Sequence, residues 1–246
     1  MPDACFGDAL TRLWPTGDQK VPRLRAGLVA SAPAVFAKYN ISSPLVLAHL
    51  MAQISHECGA GRDVVENLNY SAGRMMQVWP SRFPTMASAE PWAHDPRALA
   101  NKVYNGRMGN RAGSDDGWNF RGRGASQTTG RDGYQRVRQA TGLDVVSHPD
   151  YLIDPRYFLE CGVFDFVHCG CLPFAEADDI LNVTRRLNGG TIGLAERKAW
   201  LAKWKAALGD APLELASPPL APDSPTAKPT TLSTFIAALV AVFRRA

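Results

Sequence analysis

An apolar helical stripe that ends in a carboxylate and a glycine stop most constrains how this chain folds. Ser42-Ser43-Pro44 supplies a hydroxyl cap and an early proline, which are typical of a helix start. Apolar residues then recur every three or four positions between Leu45 and His56, at Leu47, Leu50, Met51 and Ile54. Cys58-Gly59-Ala60-Gly61 follows as a glycine-rich stop. The pattern predicts a core-facing helix with Glu57 at its end.

The remaining segments before residue 209 are mostly helical in pattern. With hydrophobic residues at 46%, the chain can bury a sizeable core. Val64–Tyr70 is predicted to be an extended strand, and Tyr104–Gly130, rich in glycine and aromatic residues, a long ordered loop. We therefore predict a mainly α (α+β) fold with one small strand-rich segment. The predicted helices are Pro22–Lys38, a segment from Ser71 to Val78, one opened by Asp95-Pro96 and continuing to Val103, Asp132–Gly142, Pro155–His168, Ala175–Leu187 and Leu194–Leu208.

The composition changes after Gly209, which divides the chain into three parts. Residues 1–209 form the predicted globular domain, and residues 210–231 form a linker rich in Pro, Ala and Ser. Residues 232–246 contain a short apolar run that ends at Arg244-Arg245 and is too short to span a bilayer. We expect a short C-terminal helix that contacts a membrane surface through residues 232–245, docks on a partner or rests on the domain.

Charge and cysteine content exclude several classes of function. The net charge is +4 with scattered Lys and Arg, which is unlike a dedicated nucleic-acid binder and suits a polyanionic surface. We expect a monomer. The five cysteines form a poor disulfide framework, and Cys161, His168, Cys169 and Cys171 lack the spacing of a zinc site. A zinc protease helix beginning at His56 needs a second histidine at position 60, which is Ala60, so this kind of zinc site is not predicted. We predict no metal and no cofactor.

Glu57 and Glu66 are the candidate catalytic carboxylates. Burial at a helix end raises the pKa of a carboxyl group, as a general acid requires. The glycine turn after Glu57 allows Glu66 to fold back across a groove, and paired carboxylates are what glycoside hydrolysis needs. The rings, amides and glycines of Tyr104–Gly130 also suit contact with sugars, although core packing is the alternative for many of these rings.

Four motifs in order resemble glycoside hydrolase family 19, the plant-type chitinase family, in its bacterial and phage endolysin-like branch. They lie between Val21 and Leu208. The motifs are His56-Glu57-Cys58-Gly59, Glu66-Asn67-Leu68-Asn69-Tyr70-Ser71-Ala72, Phe120-Arg121-Gly122-Arg123-Gly124-Ala125-Ser126-Gln127-Thr128-Thr129-Gly130 and Thr184-Arg185-Arg186-Leu187-Asn188-Gly189-Gly190. The resemblance implies a two-lobed lysozyme-like fold with a substrate cleft and an inverting mechanism. An inverting enzyme holds its two carboxyl groups about 6.5–9.5 Å apart.

The resemblance also implies roles for individual residues. Glu57 matches the general acid, Glu66 the general base, and Thr129 the hydroxyl that helps to hold the attacking water. Arg197 resembles a basic residue that supports the second glutamate. Substrate contacts are expected from four residues, namely Gln127, Asn188, Tyr70 and Arg197.

The expected substrate is a cell-wall polysaccharide, and the expected protein an endolysin that cuts peptidoglycan. The alternatives are a chitinase, an inactive cell-wall-binding module and an effector delivered between bacteria. The segment beginning at Met1 lacks a basic region followed by an apolar run. We therefore expect synthesis in the cytoplasm without a signal peptide and action on the cell wall after release, in the host periplasm if the protein is phage-encoded.

Overall fold

The computed structural model describes residues 2–209 of the chain. Within that part the chain is mainly helical, and its extended segments form only two isolated antiparallel bridges, Val65–Arg123 and Arg123–Thr128. The α-helices are α1 (Pro2–Leu13), α2 (Leu24–Lys38), α3 (Pro44–Glu57), α4 (Ala72–Val78), α5 (Met86–Ala89), α6 (Pro96–Tyr104), α7 (Asp116–Asn119), α8 (Arg131–Thr141), α9 (Phe158–His168), α10 (Leu172–Glu176), α11 (Ile180–Asn188) and α12 (Leu194–Leu208). Three 3₁₀ turns are also present, at Gly59–Gly61, Glu90–Trp92 and Pro149–Ile153.

The three residues that the sequence predicts as helix starts do cap their helices. Ser43 accepts a hydrogen bond from the Val46 N–H at the start of α3, and Ser71 accepts from the Arg74 N–H at the start of α4. Asp95 caps α6 through the Ala98 N–H at 3.0 Å. The predicted mainly α fold is confirmed, and the predicted helix Leu194–Leu208 matches α12.

Three local predictions were wrong or incomplete. Val64–Tyr70 is not a continuous strand, because the N–H of Asn69 bonds to the Asn67 side chain and the N–H of Tyr70 bonds to the Leu68 carbonyl, which turns the backbone on itself. The predicted helix Ala175–Leu187 is broken at Asp178, whose φ is +57°, so that α10 and α11 are separate. Helix α1 was not predicted.

The buried side chains divide the described residues into a large lobe and a small lobe. The large lobe has a main cluster that includes residues of α1, α2, α3 and α12, and a second cluster around Phe120, Tyr134 and Phe164. The small lobe is formed by residues 68–104 with Leu68, Met75, Phe83 and Leu99 at its centre. The segments that contain Glu66 and Gly122 join the two lobes.

Helix α3 lies at the centre of the large lobe and packs mainly against α12. It buries several polar side chains as well as its apolar stripe. Among them is Ser55, whose hydroxyl oxygen accepts hydrogen bonds from the indole N–H groups of Trp14 at 2.8 Å and Trp204 at 2.9 Å. Since Trp14 directly follows α1 and Trp204 belongs to α12, one hydroxyl connects the first and the last helix of the described residues.

The C-terminal predictions fall outside the described residues. No helix within residues 2–209 is long and apolar enough to cross a membrane. The predicted linker, 210–231, and the predicted apolar helix, 232–246, both lie beyond this range.

Replacement of Ser55 by alanine is expected to destabilise the fold. The Ser55→Ala change leaves two buried indole N–H groups without an acceptor, and each such group costs about 1–3 kcal/mol. We expect the Tm to fall by roughly 5–15 °C, which calorimetry or circular dichroism measures. Ser81→Ala, at an exposed serine, is the control. An unchanged Tm in Ser55→Ala would contradict the joining role of this hydroxyl.

Candidate active site

Glu57 is the last residue of α3, and its side chain is 21% exposed. Its Oε1 accepts a hydrogen bond from Nη2 of Arg197, a side chain of α12 that is only 2% exposed. A guanidinium bonded to a carboxylate restricts where that carboxylate points. The Glu57 carboxylate is thus partly accessible to solvent and is held by a buried side chain of the core.

Arg197 connects Glu57 to a buried polar chain. Its Nη1 donates to Oε1 of Gln53, whose Nε2 donates to the Thr184 hydroxyl at 3.3 Å. That hydroxyl donates to the carbonyl of Ile180 at 2.8 Å. Arg197 was expected to support the second glutamate, but it contacts the first, because α12 packs along α3 and brings the guanidinium to the end of that helix.

A tight turn connects Glu57 to the second carboxylate. The amides of Gly61 and Asp63 both donate to the carbonyl of Cys58, at 3.0 and 2.9 Å. Gly61 has a φ of +88°, and a β-carbon there would lie 2.7 Å from the carbonyl oxygen of Gly17. Only glycine satisfies both the dihedral angle and the close approach. The predicted glycine stop therefore also anchors the turn on the large lobe.

Glu66 is held by backbone and side-chain hydrogen bonds. Its N–H donates to the carbonyl of Gly122 at 2.8 Å, and its Oε2 accepts from the Gly122 N–H at 3.1 Å. Its Oε1 accepts from the Tyr104 hydroxyl at 2.5 Å. The carboxylate is therefore held at both oxygens, which keeps it available as an acceptor in one orientation.

Tyr104 is a site residue that the sequence analysis missed. It ends α6 in the small lobe, and burial together with the adjacent Glu66 carboxylate raises the pKa of its hydroxyl far above the ordinary value. The hydroxyl thus keeps its proton and acts as a donor to Glu66. Its place at the start of the aromatic, glycine-rich loop was the only available signal in the sequence.

Gly122 marks the point where three of the predicted site residues meet. A β-carbon at this position would lie 3.3 Å from Cβ of Glu66, 3.0 Å from Oε1 of Gln127 and 3.4 Å from Oγ1 of Thr129. The absence of a side chain leaves this space open. The second and third motifs thus converge on one small polar surface beside the Glu66 carboxylate.

Gln127 and Thr129 are fixed within that surface. Gln127 has a φ of +51°, and its Nε2 donates to the carbonyls of Asp63 at 2.9 Å and Gly124 at 3.2 Å. The Thr129 hydroxyl donates to the Gln127 carbonyl at 2.8 Å. The oxygen of that hydroxyl retains lone pairs that can accept a hydrogen bond from water.

Asn188 lies on the other side of the site, near the end of α3. It is exposed, and its Nδ2 donates to the Ile192 carbonyl at 3.4 Å. A β-carbon at Gly193 would lie 2.4 Å from Nε2 of His56, the residue before Glu57. The loop after α11 therefore lies against the end of α3, which brings Asn188 to the same side of the molecule as Glu57.

Tyr70 lies on the small lobe. Its ring is 5.6 Å from that of Trp79, and its carbonyl accepts from the His94 N–H at 2.9 Å. After burial and Glu66, Tyr70 also contributes to the raised pKa of Tyr104. It is only partly buried. Tyr70 is thus near the Glu66 side of the site and presents part of its ring to solvent.

The thiols of the described residues are free, at Cys58, Cys161, Cys169 and Cys171. Burial raises the pKa of the Cys58 thiol, adjacent to Glu57, to about 12, so this group is a poor nucleophile. Within residues 2–209 no cluster of three His, Cys, Asp or Glu side chains can hold a metal ion.

Comparison with known proteins identifies the family. No family model matches the chain. A glycosyl hydrolase family 19 domain-containing protein of Haemophilus influenzae is 34% identical over 178 residues, which is 72% of this chain and 86% of the relative.

Two solved structures share the fold. Chitinase C from Streptomyces griseus has a TM-score of 0.54 at 16% identity, and a chitinase C mutant has a TM-score of 0.53 at 14% identity. Each comparison covers 86% of this chain and 96% of the other. The fold class predicted from the sequence, a two-lobed lysozyme-like fold, agrees with these neighbours. By its 34% identity to the Haemophilus relative, this chain belongs to glycosyl hydrolase family 19.

Proposed function

We propose that this protein hydrolyses the β-1,4 bonds of a cell-wall amino-sugar polymer by an inverting mechanism, and that its substrate is peptidoglycan. The observation that carries the proposal is the arrangement around Glu66. Its carboxylate is held by Tyr104 and the Gly122 amide, beside the Gln127 amide and the Thr129 hydroxyl. A fixed carboxylate next to a free hydroxyl oxygen is suited to binding and deprotonating a water molecule.

Glu57 is the proton donor in this mechanism. Its carboxylic acid protonates the glycosidic oxygen while Glu66 removes a proton from the attacking water, which adds to the anomeric carbon as the carbon–oxygen bond breaks. Arg197 orients Glu57 for this transfer. After the reaction Glu57 is a carboxylate and Glu66 is protonated, and exchange with solvent restores both groups.

Three of the four predicted substrate contacts remain candidates to meet the sugar chain, whereas Arg197 is only 2% exposed and does not reach it. Gln127 and Asn188 offer amide groups on the two sides of the site, and Tyr70 offers a partly exposed ring. Flat rings pack on sugar faces, and amides pair with hydroxyl and N-acetyl groups. The polymer thus crosses from the loop after α11 to the small lobe.

The charge of the small lobe and its adjoining loop favours an anionic polymer. Residues 72–131 contain nine Lys or Arg and four Asp or Glu. Five of the nine basic side chains make no ion pair within the described residues, namely Arg74, Arg82, Lys102, Arg107 and Arg121. Two guanidinium groups, those of Arg82 and Arg107, lie near Tyr104. Burial and the charge of Arg107 lower the pKa of Arg82. Peptidoglycan has carboxylates on its peptide branches, whereas chitin is uncharged.

Chitin is the alternative substrate, supported by the solved neighbours that are named chitinase C. The cleavage chemistry would be the same. The two substrates differ in the lactyl-peptide branch, which the cleft must accommodate in peptidoglycan only.

We also propose an endolysin role, in which a monomer made in the cytoplasm reaches the wall after release. The apolar residues 232–243 followed by Arg244-Arg245 support contact with an anionic membrane surface.

The Glu57→Gln variant is expected to lose at least about 100-fold in hydrolysis rate, since general acid catalysis contributes 10²–10⁴-fold. Release of reducing ends from purified peptidoglycan and from colloidal chitin measures both the loss and the substrate. We expect the wild-type protein to prefer peptidoglycan, and added salt to reduce that preference because it screens the basic residues.

Glu90→Gln, at an exposed carboxylate, is the control for this experiment. Full activity of Glu57→Gln would rule out Glu57 as the acid. Hydrolysis of chitin but not of peptidoglycan would establish the alternative substrate.

The Tyr104→Phe variant is expected to lower kcat by about 10–100-fold. It removes one hydrogen bond to the Glu66 carboxylate, and a bond to a charged group contributes roughly 1.5–3 kcal/mol. Tyr151→Phe is the matched control, because Tyr151 stacks on His148 away from Glu66. Steady-state kinetics on a soluble oligosaccharide provide the measurement. Equal loss in both variants would show that the effect is not specific to the base.

Truncation after Gly209 is expected to leave hydrolysis of soluble oligosaccharides within about twofold of the full chain, because all the site residues lie before it. The truncated protein should lose binding to vesicles that contain anionic lipid, measured by sedimentation. Equal vesicle binding by both forms would contradict the membrane contact through residues 232–245.

A further inference from the structure

Asp165 is a partly buried carboxyl group that the proposed reaction does not use. It lies near the end of α9, behind the segment that contains Gln127 and Thr129. The Thr128 hydroxyl donates to Oδ2 of Asp165 at 3.2 Å, and the Ser126 hydroxyl is close enough to this carboxylate to oppose the rise of its pKa. The residues on either side of Gln127 therefore both face this carboxylate, and Thr128 is hydrogen-bonded to it.

The segment between Arg123 and Thr128 is a tight hairpin. The Arg123 N–H donates to the Thr128 carbonyl at 3.2 Å, and the Thr128 N–H donates to the Arg123 carbonyl at 2.9 Å. Within the hairpin, Gln127 has a φ of +51°, a left-handed conformation that is unfavourable for a residue with a side chain. Such a conformation persists only where surrounding contacts hold it.

Two sets of contacts hold Gln127. Its own side chain bonds to the carbonyls of Asp63 and Gly124 on the side of the site. On the opposite side, the Thr128 hydroxyl bonds to Asp165, and the Ser126 hydroxyl lies near the same carboxylate. The contact to Asp165 connects the hairpin by a side-chain hydrogen bond to α9, a long helix of the large lobe.

We propose that Asp165 is a positioning residue, whose carboxylate holds the hairpin so that Gln127 and Thr129 face Glu66. The proposal rests on the proposed function, since it concerns how two residues of the same site are placed. Asp165 itself does not touch the substrate; it acts through Ser126 and Thr128.

The electrostatic surroundings of Asp165 agree with this role. Burial raises the pKa of Asp165 to about 6, and the two hydroxyls, Arg136 of α8 and His168 of α9 oppose that rise. The thiols of Cys161 and Cys169 are also close, since the Asp165 charge raises the pKa of both. The hairpin thus supplies hydroxyl donors to a carboxylate that is poorly solvated.

The central experiment compares Asp165→Leu with Asp165→Asn. Leucine removes both acceptors. Asparagine keeps an acceptor for the Thr128 hydroxyl and offers its N–H₂ group to the Ser126 oxygen. On a soluble oligosaccharide we expect Asp165→Leu to lower kcat at least about tenfold and to raise KM severalfold, and we expect Asp165→Asn to stay within about threefold of wild type.

Controls separate positioning from a general loss of stability. Glu160→Gln, at a carboxylate on the same helix that pairs with Lys38, should not change KM. Thr128→Val removes the donor and keeps the shape, so it should reproduce the Asp165→Leu effect and add nothing to it in the double variant. If Asp165→Leu fails to fold, Thr128→Val and Ser126→Ala provide the same test.

Amide hydrogen exchange tests whether Asp165 holds the hairpin in place, independently of enzymatic activity. Amides of residues 124–129 should exchange at least about tenfold faster in Asp165→Leu, with the α3 amides unchanged. This result stands even if the wild-type protein hydrolyses neither polymer, so failure of the proposed function is distinguished from failure of this inference. Unchanged exchange in the hairpin, or wild-type kcat and KM in a folded Asp165→Leu protein, would overturn it.

The pH dependence of stability has a defined sign. Because folding raises the pKa of Asp165 to about 6, the folded protein binds this proton more tightly than the unfolded chain, and stability is lost as the pH rises from the ordinary pKa of 3.8 through about 6. Asp165→Asn should therefore have a higher Tm than wild type at pH 8, and the difference should shrink as the pH falls to about 4. A difference that is the same at pH 8 and pH 4 would overturn the assignment of a buried, ionising anchor.

Discussion

The hydrogen bonds made by the buried polar side chains of α3 are the constraint on which the rest of the structure depends. Ser55 receives both Trp14 and Trp204, His49 bonds to Asp178 at 2.9 Å, and Gln53 bonds to Arg197 and Thr184. A buried polar group that lacks a partner is costly. The helices that surround α3 are therefore restricted to positions where these partners are supplied, and the same restriction fixes Glu57 at its end.

The two carboxylates are positioned by different kinds of structure. Glu57 lies on a long helix and is held by a side chain of another long helix. Glu66 lies on an irregular segment, and its position depends on a glycine amide, a tyrosine hydroxyl and a hairpin anchored on α9. Glu57 is thus built into the core, whereas the surroundings of Glu66 are assembled from short segments at the junction of the lobes.

Much of the helical fold was predictable from the sequence, because caps and apolar periodicity act locally. Ser43, Ser71 and Asp95 begin their helices as read from the sequence, and Glu57 stands at its predicted helix end. The strand at Val64–Tyr70 was wrong because its asparagines bond to nearby backbone, a competition that an alternating pattern does not reveal.

The partners of the site were harder to predict, because they depend on tertiary contacts between distant segments. Tyr104 lies 38 positions from Glu66 and Arg197 lies 140 positions from Glu57. No spacing rule connects such pairs. Motif resemblance selected Arg197 but assigned it to the wrong carboxylate, since only the packing of α12 on α3 decides which one it reaches.

The place of α12 in the chain has a consequence for biosynthesis. Arg197 and Trp204 both belong to this helix, the last one within residues 2–209. A nascent chain that has reached only residue 193 already contains Glu57, Glu66, Gln127 and Thr129, yet the guanidinium that orients Glu57 has not been synthesised. Glu57 therefore acquires this contact only once α12 has been synthesised, and an incomplete chain that ends before residue 197 carries both carboxylates without the guanidinium that positions the first.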